Sequence, residues 1–84
     1  MERVRVRVLA FARIRELLGG AQRSLELSPG ARAGDVLPAL AGEVPALGAL
    51  ADSTRIARNG RIVSLDEPIR DGDEIALLPP VGGG

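Results

Sequence analysis

The chain of 84 residues has no cysteine, histidine, tyrosine or tryptophan, and one phenylalanine. It has no lysine either, so all 11 basic residues are arginines. Without thiolates or imidazoles, a zinc, haem or iron–sulfur site loses its usual ligands, and no metal site is expected. No disulfide can form. Without lysine, a Schiff base or a phosphate-binding P-loop fails. Nucleophilic catalysis would rest on Ser24, Ser28, Ser53, Ser64 or Thr54, with neither histidine nor lysine as base. The 11 acidic residues cancel the arginines, which argues against a chain built mainly to grip nucleic-acid phosphates or anionic lipid. Met1-Glu2-Arg3-Val4 opens a charged alternating run rather than an apolar signal core, and no apolar stretch is long enough to span a bilayer. A cytoplasmic protein that does no catalysis with its own side chains is expected.

What is present describes one small globular domain, with hydrophobic residues at 45% and charged residues at 26%. Arg3, Arg5 and Arg7 alternate with Val4, Val6 and Val8, the period of two that marks a strand. Those arginines read as a solvated face or, less simply, as an anion site. Phe11, Ile14, Leu17 and Leu18 fall at helical spacing, and Gly19-Gly20 supplies the helix end. Ser24 to Leu27 reads as a second strand, closed by Ser28-Pro29-Gly30. Val36, Leu37, Leu40, Val44 and Leu47 outline the stripe of a main helix. Asp35 as N-cap would let Pro38 sit in the first turn, and Pro45 ends that helix or starts another. Ile56 and Ala57, the turn Asn59-Gly60 and then Ile62-Val63 suggest a hairpin. Asp71-Gly72 turns into a last strand, Glu74 to Leu78. Among several α+β arrangements the pattern fits, the expected one is a β-grasp (ubiquitin-like) roll: a mixed sheet, first and last strands adjacent, one main helix across it, and a flexible C-terminal Gly-Gly tail. Residues 1–78 form the domain and residues 79–84 an extended tail.

The α-carboxylate of Gly84 is the one unusual reactive group available. It becomes an electrophile only when a partner activates it, for instance as an acyl-adenylate. Gly82, Gly83 and Gly84 carry no side chains to obstruct a narrow channel, and Pro79-Pro80 favours an extended stem. The residues beyond Leu78 would span on the order of 20 Å when extended. A frayed terminus is the plain alternative reading.

Particular residues carry a family resemblance. Val63-Ser64-Leu65-Asp66, Pro68 through Ala76, and Pro79-Pro80-Val81 before Gly83-Gly84 resemble the small subunits of molybdopterin synthase, MoaD/ThiS-like sulfur carriers. Phe11-Ala12-Arg13-Ile14-Arg15-Glu16-Leu17-Leu18-Gly19 is similar to the segment after the first strand in that family. The resemblance implies that an E1-like adenylyltransferase, using ATP and magnesium that this chain does not bind, adenylates Gly84. A sulfur donor system then converts it to a thiocarboxylate. The tail, with Gly83 beside Gly84, enters the large subunit of the synthase and gives its sulfur to cyclic pyranopterin monophosphate during molybdenum cofactor biosynthesis. Two small and two large subunits are the implied assembly, and neither nucleic acid nor membrane is an expected partner. Arg15 matches a recurrent family arginine. The chain departs from the family at Arg32-Ala33-Gly34-Asp35, where threonine or serine is common, at Pro38 and Pro45, and at Leu77-Leu78, where aromatics are common.

Strand parity places Phe11, Ile62 and Leu78 outside the core, as an apolar docking patch beside Pro79, Pro80, Val81 and Gly82. The resemblance makes these the partner-binding residues, whereas the alternative packs one or more of the three into the core. Asp66, Glu67, Asp71, Asp73 and Glu74, offset mainly by Arg70, read either as a solvated turn region or as a surface steering the chain to a basic partner. Other functions stay open: a sulfur carrier for thiamine thiazole synthesis, tRNA thiolation or cysteine synthesis, a ubiquitin-like protein modifier, or a passive binding module.

Overall fold

The computed structural model describes residues 3–79. Strand β1 (Val4–Ala10) buries Val6, Val8 and Ala10 and exposes Arg5 and Arg7, so alternation separates a core face from an outer face. Phe11 stays extended (φ −132, ψ 157), and Ala12 turns the chain with a left-handed φ of 51. Helix α1 (Ala12–Leu18) is anchored by buried Ile14. Gly19 closes it at φ 79, a conformation that costs glycine little, and its N–H donates to the carbonyls of Arg15 and Glu16. Strand β2 (Gln22–Leu27) returns antiparallel to β1, with Leu25 opposite Val6 and Leu27 opposite Val4.

The expected main helix is broken into three pieces. A 3-10 turn at Ala33–Asp35 leads into helix α2 (Val36–Ala41), and a longer 3-10 segment spans Pro45–Ser53. Pro38 is tolerated because first-turn positions need no intrahelical N–H partner. Pro45 pushes Val44 out of helical conformation (φ −129, ψ 87) and begins the 3-10 segment itself. Val44 and Leu47 therefore lie beyond α2, although Leu47 is fully buried and Val44 packs against the core. Asp35 does not cap α2 through its side chain; its carboxylate accepts the Arg32 backbone N–H at 2.8 Å and starts the preceding 3-10 turn. Gly34, in the segment Arg32-Ala33-Gly34-Asp35, lies where the chain is crowded. A Cβ there would meet Cβ and the carbonyl oxygen of Leu65 at 3.1 Å.

Strands β3 (Arg55–Arg58) and β4 (Arg61–Val63) form the expected hairpin, with Asn59 (φ 50) and Gly60 (φ 89) as its two-residue turn. Strand β5 (Glu74–Leu78) runs parallel to β1 and antiparallel to β3, giving the order β2-β1-β5-β3-β4. The helical segments cover one face of this mixed sheet. Val6, Val8, Ile75 and Leu77 from the central strands meet Ile14, Val36, Leu40 and Leu47 in the core. The β-grasp expectation holds, with a 3-10 turn, a short helix and a 3-10 segment along the stripe expected to form the main helix. Among the described residues no helix is long and apolar enough to cross a membrane. Leu47→Ala should cost about 3 kcal/mol of stability, read as a lower urea midpoint. An unchanged midpoint would mean that the 3-10 segment does not belong to the core.

Candidate functional site

The outer face of the sheet is divided along the strands. Near the start of β1 it is charged: Arg5 pairs with Glu26 at 2.7 Å and Arg7 with Glu74 at 2.6 Å. Further along it is apolar. Direct cross-strand partners share a face, so Leu9, Ala76, Ala57 and Ile62 form one row across β1, β5, β3 and β4. Ala57 is buried yet lies outside the core cluster, consistent with this outer position.

A second row begins where β1 ends. Ala10 stands opposite Leu77, and the extended Phe11 continues the alternation toward Leu78. Leu78 lies opposite Arg55. Phe11 and Ile62 are 45% and 60% exposed, while Leu78 is half-buried, so none of the three belongs to the core. All three lie on the outer side of the sheet, Phe11 and Leu78 at the end where β5 hands the chain to Pro79 and Ile62 in the row before it. Strand parity alone missed Ala57 and Arg55. The signal was nonetheless available, because a two-residue Asn59-Gly60 turn sets Arg58 against Arg61 and hence Ala57 against Ile62. Pro79 is half-buried; Pro80, Val81, Gly82, Gly83 and Gly84 lie outside the described residues.

The acidic segment is mostly engaged within the chain. Asp73, 6% exposed, accepts Arg58 Nε at 2.6 Å, Asn59 Nδ2 at 3.0 Å and the Arg70 backbone N–H at 2.8 Å. Glu67 accepts Arg58 at 3.1 Å, Asp71 accepts the Arg5 backbone N–H at 2.8 Å, and Glu74 holds Arg7. The arginine side chains that engage this segment are therefore Arg7 and Arg58, while Arg5 and Arg70 contribute backbone N–H groups. Of the five acids, only the Asp66 carboxylate makes no hydrogen bond or ion pair among the described residues. Burial pushes the Asp73 carboxyl up, but the hydrogen bonds from Arg58, Arg70 and Asn59 outweigh it and hold it below its ordinary 3.8. No group of three acidic side chains among the described residues comes together as a metal-ligand set.

Residues 8–84 match the ThiS family. This chain belongs to the ThiS family. It is 35% identical over 83 residues to the molybdopterin synthase sulfur carrier subunit of Chlamydomonas reinhardtii, covering 96% of this chain and 100% of that one. It is 39% identical over 82 residues to small archaeal modifier protein 1 of Haloferax volcanii, covering 88% and 94%. Among solved structures, a putative molybdopterin converting factor subunit 1 from Pyrococcus furiosus superposes with a TM-score of 0.84 at 36% identity, covering 93% and 99%. A chain in the complex of subunits 1 and 2 of molybdopterin-converting factor from Helicobacter pylori superposes at 0.65 with 30% identity, covering 96% and 100%. The ThiS-family relatives thus include sulfur-carrier subunits and a protein modifier.

In this ThiS-family chain the Asp73 cluster ties the β3–β4 turn to the start of β5. Asp73→Ala would leave Arg58, Asn59 and the Arg70 N–H short of an acceptor and should cost about 2 kcal/mol. The native carboxyl titrates below its unfolded value, so its contribution is complete well above pH 3.8 and is lost as the pH falls through the native value. Urea unfolding of the native chain and the variant at neutral and acid pH should show their difference shrinking as the pH falls. A constant difference would contradict the depressed native value.

Proposed function

We propose that this chain is the sulfur-carrier small subunit of a molybdopterin synthase. One observation carries the reading: Phe11 and Leu78 stand at the end of the sheet from which β5 leads into Pro79, with the apolar row of Leu9, Ala76, Ala57 and Ile62 just before them. Docking through Phe11, Ile62 and Leu78 would deliver the tail, and nothing else of the chain, into a partner's active site. Pro79, Pro80, Val81 and Gly82 would occupy the entry channel, with Gly83 and Gly84 at its end. The relatives named as sulfur carrier subunits, and the one solved in complex with its second subunit, support the large synthase subunit as that partner.

The chemistry follows from what the chain lacks. With no cysteine, histidine or lysine, it offers no side chain suited to carrying sulfur, whereas a terminal carboxylate can. An E1-like adenylyltransferase brings ATP and magnesium. A carboxylate oxygen of Gly84 attacks the α-phosphorus of ATP, and pyrophosphate leaves. A sulfur nucleophile from the donor system then attacks the acyl carbon, and AMP departs with the bonding electron pair. With sulfide as that nucleophile the thiocarboxylate forms directly, with loss of a proton; it then gives its sulfur to cyclic pyranopterin monophosphate in the large subunit, and water adding at the acyl carbon restores the Gly84 carboxylate. Side chains of that subunit supply the acid–base steps.

The identity to small archaeal modifier protein 1 favours a second reading, attachment of Gly84 to lysines of other proteins. The activation step is common to both readings, and the fate of the acyl group separates them.

Intact mass should test the carrier step. After incubation with the E1-like enzyme, ATP–magnesium and a sulfide donor, one oxygen at Gly84 should be replaced by sulfur, and a Gly84-deleted chain should not change. A verified enzyme set that never shifts the mass would remove the reading. Leu78→Asp should weaken binding to the large subunit at least about tenfold while unfolding stays cooperative. A variant that no longer folds would place Leu78 in the core instead.

A further inference from the structure

We infer that the partner's docking surface presents a carboxylate to Arg55, so that this chain is steered by a basic site within its apolar face and not by its acidic segment. The inference rests on the docking face proposed above. The acids once expected to steer the chain are largely occupied: Asp73 and Glu67 by Arg58, Glu74 by Arg7, and Asp71 by the Arg5 backbone. Arg55 differs from the arginines that engage them. It is exposed, lies directly opposite Leu78 on the outer face, and makes no ion pair among the described residues.

Its position matters more than its charge. Arg55 shares its face with Ala57, two residues on in β3, and Ala57 belongs to the row of Leu9, Ala76 and Ile62. A surface that covers Leu78 and this row also removes water from around Arg55. An arginine does not lose its proton, so it cannot escape desolvation by neutralising. A guanidinium left dry and unpaired would oppose the apolar contact that dries it. The partner must therefore supply an acceptor there, and a carboxylate matches the planar fork of the guanidinium in both charge and geometry.

Association kinetics with the cognate large subunit of molybdopterin synthase provide the test, at low and at moderate sodium chloride. The native chain should associate more slowly as salt rises. Arg55→Glu should cut the low-salt association rate about tenfold and abolish or reverse its salt dependence. Arg55→Gln should fall between the two, and Arg55→Lys should keep most of the native rate. Arg3→Glu makes the same change of charge away from the apolar rows and should stay within about twofold of native. Urea midpoints of all four variants should match the native chain, since both positions are exposed. If Arg55→Glu associates as fast as native or faster, the inference is overturned. If Leu78→Asp weakens binding in that same experiment, the docking face stands and only the charge assignment falls. If neither Leu78→Asp nor Arg55→Glu weakens binding, the docking face falls as well, and this inference with it.

Discussion

The parallel pairing of the first and last strands is the contact on which the rest of the structure depends. It joins Val8 to Ile75 and Ala10 to Leu77 across nearly the whole length of the chain. Such pairing is costly to form, because the intervening chain must close before the contact returns anything. Once made, it places β1 and β5 at the centre of the sheet and brings Val6, Val8, Ile75 and Leu77 under the helical segments. Because side chains alternate, the same register fixes the opposite face, setting Leu9 beside Ala76 and Arg7 beside Glu74. The core and the docking face are two sides of one register.

The end of β5 inherits its position from that pairing. A central strand held on both sides cannot drift, so the chain leaves the sheet at a defined place next to Phe11. The start of β5 is secured differently, by the Asp73 cluster. Its carboxylate draws in Arg58, Asn59 and the Arg70 N–H, and Asn59 also accepts the Glu74 N–H at 2.9 Å. Polar contacts position the strand's entrance and apolar packing its middle. The exit carries the proposed function, a tail presented beside an apolar surface to a partner that supplies the catalytic groups.

The division of the outer face also explains why composition misleads about charge. Equal numbers of acids and arginines suggest a neutral surface, and the run of acids before the tail suggests a negative site. In the fold most of those acids meet arginines from β1 and β3 or backbone N–H groups. What remains beside the apolar rows is a cation, Arg55. Net charge and local charge differ here because ion pairing follows strand neighbours rather than sequence neighbours.

Much of this was legible in the residues themselves. The alternation of Arg3 to Val8, the turns at Asn59-Gly60 and Asp71-Gly72 and the parity of Glu74 to Leu78 are local signals, and local geometry is what a sequence encodes most directly. They led to the strands, to the exposure of Phe11 and Ile62 and to the outward position of Leu78. The division of the main helix at Pro45 was legible as well, because a proline ends one helical run or starts another. Only packing shows that the apolar stripe continues past it, with Leu47 still reaching the core from a 3-10 segment. The adjacency of the first and last strands was expected too, but the capture of the acids by Arg7, Arg58 and backbone N–H groups, and the meeting of Arg55 with Leu78, were decided by the tertiary structure alone. Each joins residues distant in the chain, and no local pattern specifies which distant side chain becomes a neighbour.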